Sequence, residues 1–178
     1  MGQRGAGADR QGRMTAGTAA APGDAGAFPE KPLAVSTVSW VKDITFSAAA
    51  GGGGTMVLDG DAVAGQSPPE ALLSALAACT AVDIVEILKK RRTPVERLTI
   101  RTTGRRARAM PPRFVAIVLA YEIDGAGITR DHAERAIDLA VNKYCTVKDS
   151  LATDIAFTWR LVLNGEVGAD HDATAPAR

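Results

Sequence analysis

Aromatic residues are scarce in this chain. They make up 4% of its 178 residues, so aliphatic side chains must fill any core it builds. Cysteine and histidine are scarcer still, with two of each. Cys79 and Cys145 are far apart and form no CxxC, and His132 and His171 have no metal-ligand spacing to each other or to a cysteine. That argues against a zinc site, and the chain is expected to need no metal or other bound cofactor. Excess charge is also missing. A net charge of +1 gives no global electrostatic case for nucleic acid or a membrane surface. No uninterrupted apolar run reaches the ~18 residues of a membrane-spanning helix. The basic residues near the N-terminus are not followed by the apolar stretch of a secretory signal. The expected compartment is the cytoplasm.

What is present divides the chain into a folded domain, 33–165, between two segments with no hydrophobic period. Residues 1–32 are rich in Gly, Ala and Arg, and EVGADHDATAPAR at 166–178 is similarly aperiodic, so both are expected to be disordered tails. Within the domain, Val35–Val41, Ile44–Ala48 and Thr55–Leu58 are short β-type runs, separated by Lys42-Asp43 and a Gly51–Gly54 loop. SPPEALLSALAACTAVDIVEILKKRRTP then predicts a long helix. Ser67 is the N-cap, Pro68 and Pro69 fit the first turn, Glu70 and the Lys89–Arg92 cluster complement the two dipole ends, and Thr93-Pro94 stops it. From Ala71 to Val82 it is apolar nearly all round, as in a helix buried on most sides. Two strands follow, around Leu98–Thr102 and Val115–Ile123. A second helix from about Thr129 to Cys145 and a last strand, Ile155–Leu163, complete the pattern. The order βββ-α-ββ-α-β predicts an α+β fold.

Taken alone, each cysteine reads as a small core residue of an apolar helix. Cys145, at the end of the second helix, would face the negative end of a helix dipole, which disfavours a thiolate. Lys89, Lys90, Arg91, Arg92, Arg97, Arg101, Arg105, Arg106, Arg108 and Arg113 hold 10 of the 21 Lys and Arg residues. A solvated basic face explains them better than a nucleic-acid site, because few aromatics interleave for base stacking.

The spelling around the cysteines says more. SPPEALLSALAACTAVDIVEILKKRR resembles the first helix of the OsmC/Ohr family, S/N-P-x-E-L-L-x-A-A-x-A-x-C. AERAIDLAVNKYCTV resembles its second motif, A-x-x-x-C-x-V/I. The likeness covers roughly Val35 to Gly165, nearest to a branch with D-I/V-V-x-I-L-K-K after the first cysteine. It implies an intertwined homodimer with the long first helices at its centre. It also implies a thiol-dependent peroxidase for organic hydroperoxides or hydrogen peroxide, active in oxidative stress defence. Cys79 would attack the peroxide as a thiolate and become a sulfenic acid, Cys145 would close a disulfide with it, and an external thiol or dithiol would restore the pair. The alternative is a protein of the same fold that binds small molecules or senses redox state, with little peroxidase activity. In the family an early-strand arginine and a glutamate at the start of the first helix support the thiolate. Here the segment 43–66 holds no arginine, leaving Lys42 and Lys143 as candidate cations. Glu70 is the candidate glutamate, although a straight helix would set it about 13.5 Å from Cys79 along the axis and on the opposite face. Its other role is to complement the helix dipole.

Overall fold

The computed structural model describes residues 33–174, and the folded unit begins at Val35. The tail expected at 1–32 and the last four residues lie outside the described residues. Three short strands, β1 (Ser36–Lys42), β2 (Thr45–Ala50) and β3 (Thr55–Asp59), form an antiparallel meander in that order. Asp59 closes the connection to the next element. Its buried carboxylate accepts the N–H groups of Asp61, Val63 and Ala64, which satisfies a charge that would otherwise be costly to bury.

The long helix α1 (Pro68–Lys90) has a fully buried face of Leu76, Thr80, Ile84 and Leu88, a four-residue spacing that stacks side chains along one stripe. By length and a mean hydropathy of 2.0 it could cross a membrane, but here that stripe joins the core of the domain. The opposing surface is a second sheet, ordered β4-β5-β6-β7, of β4 (Arg97–Arg106), β5 (Phe114–Asp124), β6 (Ala156–Leu163) and β7 (Glu166–Asp172). Ile117, Leu119, Tyr121 and Ile123 alternate inward from β5, and Phe157, Trp159, Leu161 and Leu163 from β6, as the period-two pattern requires. Fully burying one such side chain contributes about 1.5–3 kcal/mol. The one buried hydroxyl of β5 has a partner: Tyr121 Oη donates to Thr80 Oγ1 at 3.0 Å, and Thr80 donates to the Ala77 carbonyl.

Between β5 and β6, which pair in parallel, the chain crosses over through α2 (Arg130–Leu139). Thr129 caps α2 as predicted, accepting the His132 N–H. The single second helix expected to run through to Cys145 is corrected. α2 gives way to a π-helical turn, Ala140–Tyr144, in which the Cys145 N–H reaches the Ala140 carbonyl at 2.9 Å. A new short helix, α3 (Thr146–Asp149), then starts.

The boundary at 165 is corrected as well. Glu166–Asp172 is not a tail but strand β7, antiparallel to β6. Asn164 and Gly165 have φ of 49° and 86°, the left-handed pair of a two-residue hairpin turn. His171 stacks on Trp159 with ring centroids 3.9 Å apart, and Ala173 is 4% exposed. A chain ended at 165 therefore leaves Trp159 and the β6 edge uncovered. Its melting temperature is expected to fall by about 10 °C or more relative to a chain ended at 174, read by thermal unfolding. Equal melting temperatures would show that β7 adds nothing.

Candidate functional site

Cys79 lies midway along α1, one residue before the buried Thr80. The π-turn alters what faces it. By inserting one extra residue into the turn, it ends α2 and lets the chain restart as α3 with Cys145 as the N-cap. Cys145 Sγ accepts the Lys148 N–H at 3.3 Å, and Cys79 Sγ lies 3.9 Å from Thr146 Oγ1. Burial works against a charge on Cys79. The Val147 N–H, the Cys145 side chain and the hydroxyl and N–H of Thr146 outweigh it, so the Cys79 thiol sits below the ordinary cysteine value. Cys145 moves the other way. Burial pushes its thiol up to about 11, against the Lys148 N–H, and the neighbouring Cys79 adds to the rise. The two thiols titrate as a pair: the first proton leaves easily, the second is held. Of the two, Cys79 is the thiol that ionises first and Cys145 the one that keeps its proton longer.

The two predicted cysteines are thus brought together, and no disulfide joins them. Glu70 is not brought to them in this protomer. Its carboxylate accepts the Ser67 N–H and hydroxyl at 2.8 and 2.7 Å, and these bonds hold it below its ordinary value. It closes a capping box at the first turn of α1, where its charge also complements the helix dipole. The candidate cations are also replaced. Among the described residues neither Lys42 nor Lys143 contributes to lowering Cys79; backbone N–H groups at the start of α3 do that work. The expectation that Cys145 faces a negative helix end fails for the same reason. A helical pattern that runs unbroken in sequence through AVNKY gives no hint that a new N-terminus opens at Cys145.

Two further residues border the pair. Tyr121 lies close enough that a Cys145 thiolate would raise its phenol further, beyond the rise that burial imposes. Lys148 is lowered by burial, with Cys145, Asp149 and Asp172 opposing that shift. Its ammonium donates to Asn142 Oδ1 at 3.0 Å and sits over the Phe157 ring.

Comparison with known proteins agrees with this architecture. The family described as OsmC-like protein matches residues 59–160. Protein YhfA of Escherichia coli K12 is 32% identical over 128 residues, which cover 70% of this chain and 96% of the relative. Among solved structures, an OsmC-like protein from Mycoplasma pneumoniae superposes with a TM-score of 0.66 at 20% identity, over 75% of this chain and 99% of its own. The organic hydroperoxide resistance protein OhrB of Bacillus subtilis gives a TM-score of 0.50 at 14% identity, over 74% and 98%. At those identities the likeness to the two structures is one of fold. The chain belongs to the OsmC family.

If the α3 start holds Cys79 as a thiolate, Thr146→Val should weaken it by removing the hydroxyl and leaving the backbone. Alkylation of Cys79 by iodoacetamide at pH 7 is expected to slow about 2–5-fold, read by peptide mass, with equal rates after unfolding. An unchanged native rate would remove Thr146 from the site.

Proposed function

We propose that this protein is a thiol-dependent peroxidase that reduces organic hydroperoxides or hydrogen peroxide. The observation that carries the reading is the protonation asymmetry of the cysteine pair: a thiol held below its ordinary value faces one raised to about 11. Peroxide attack needs a thiolate. The Cys79 thiolate attacks one peroxide oxygen, a sulfur–oxygen bond forms, and the O–O bond breaks. The leaving alkoxide or hydroxide takes a proton as alcohol or water, and Cys79 is left as sulfenic acid. Oxidation removes the negative charge that helps hold Cys145 protonated. Cys145 sulfur then attacks Cys79 sulfur, its proton and the departing hydroxide leave as water, and a disulfide closes before further oxidation.

The working unit in this proposal is a homodimer. Cross-strand partners put Val38, Trp40, Phe46, Ala48, Met56 and Leu58 on one face of the β1–β3 sheet, and Trp40 is 68% exposed. On α1, Leu72, Val82 and Val85 are exposed. Two apolar faces of this kind on one small domain support burial against a second copy. Sedimentation of the full chain at micromolar concentration is expected to give twice the monomer mass, and a monomer would contradict the dimer.

Intact mass after one equivalent of peroxide tests the chemistry. Wild type is expected to lose two hydrogens, Cys145→Ser to gain oxygen, and Cys79→Ser to stay unchanged. If all three stay unmodified, the peroxidase reading fails and the same-fold binding protein replaces it.

A further inference from the structure

The leading end of α3 is held by sulfur. None of its four residues is buried, and Val147, with Leu151 just beyond it, packs only partly against the core. A single helical turn is not stable on its own, so the partners of its first N–H groups decide whether it forms. The Lys148 N–H goes to Cys145 Sγ at 3.3 Å. Those of Thr146 and Val147 act on Cys79, and the Thr146 hydroxyl lies 3.9 Å from Cys79 Sγ. At the other end Ser150 closes the turn, its N–H and hydroxyl both reaching the Thr146 carbonyl. The start of α3 thus rests on the same two atoms that the proposed reaction changes.

Oxidation alters both acceptors at once. A thiolate accepts a charge-assisted hydrogen bond, whereas a disulfide sulfur is uncharged and a weak acceptor. We propose that α3 is a redox-sensitive latch, closed on the reduced cysteine pair and released when Cys79 and Cys145 join. The inference rests on the peroxidase reading for the disulfide and adds to it what oxidation does to the fold. Release has a consequence for turnover. Cys145 is 4% exposed, so a disulfide there is covered while α3 stays closed, yet an external thiol must reach sulfur to restore the pair. Cys145, Thr146, Lys148, Asp149, Ser150 and Leu151 form much of the wall of a cavity of about 440 Å³. Loosening that wall uncovers the disulfide. Reduction returns both acceptors, and the latch closes again. α3 belongs to neither of the apolar faces assigned above to the second copy.

Hydrogen exchange of the full-length chain, read by peptide mass over 146–151, tests the latch. Diamide makes the disulfide without peroxide: its N=N bond takes up the two thiol hydrogens as the S–S bond forms. Exchange over 146–151 is expected to be about tenfold or more faster in the oxidised chain than in the reduced one, with 117–123 of β5 unchanged. In the reduced state, Cys145→Ala removes an acceptor and is expected to speed exchange over 146–151 about 3-fold or more. Cys145→Ser keeps a capping oxygen and is expected to stay slow and to ignore diamide. Equal exchange in oxidised and reduced wild type, an alanine variant as slow as the serine variant, or a rise that spreads through β5 would overturn the proposal. So would a pair that diamide cannot join. A chain that joins the pair with diamide but leaves peroxide untouched fails the peroxidase reading alone.

Discussion

The geometry at Cys79 depends on one irregularity, the π-turn of Ala140–Tyr144. A continuous α-helix to Cys145 would present carbonyl oxygens at its end, the wrong partners for a thiolate. The extra residue in the turn stops that helix one step early, and the chain restarts at Cys145 with free N–H groups pointing outward. Those of Thr146 and Val147 reach Cys79, and that of Lys148 reaches Cys145. One backbone device therefore places both cysteines and sets their protonation apart. It also explains how the site manages without an arginine in the segment 43–66. Backbone amides supply the positive end that a side-chain cation would otherwise provide.

The device works because the elements that carry it are rigidly held. Thr80 and Tyr121 bond to each other directly beneath Cys79, inside the stripe that fastens α1 to the second sheet. Ala140 and Val141 are buried, so the π-turn is pinned at its start, while Asn142, Lys143 and Tyr144 face outward. Phe157, next along β6, lines the cavity beside Cys145 and carries Lys148 over its ring. The core and the site share these residues, so packing of the sheet against the helices is what holds the two thiols beside each other.

Much of this was legible in the sequence. The strands β1 to β6 follow alternation and turn residues. The cap, dipole charges and terminator of α1 bracket that helix at both ends, and the two cysteine motifs led to each other. Three features were not legible. The π-turn leaves the helical period of DLAVNKY intact, so nothing in the pattern shows the extra residue. Strand β7 has the spelling EVGADHD, poor in β-branched and aromatic residues, and it forms because β6 offers an unpaired edge and Trp159 a ring for His171. A signal for it did exist: Asn164-Gly165 directly after an alternating strand marks a two-residue hairpin. Glu70 was placed in two roles by sequence. In this protomer its carboxylate accepts the N–H and hydroxyl of Ser67 at the start of α1.

The proposed chemistry requires the two thiols to titrate apart, Cys79 first. Carbon-13 NMR of protein labelled at cysteine Cβ follows each directly as pH is raised. The Cys79 resonance is expected to titrate below the ordinary cysteine value and the Cys145 resonance near pH 11. Two resonances moving together at the ordinary value, or Cys145 titrating first, would contradict it.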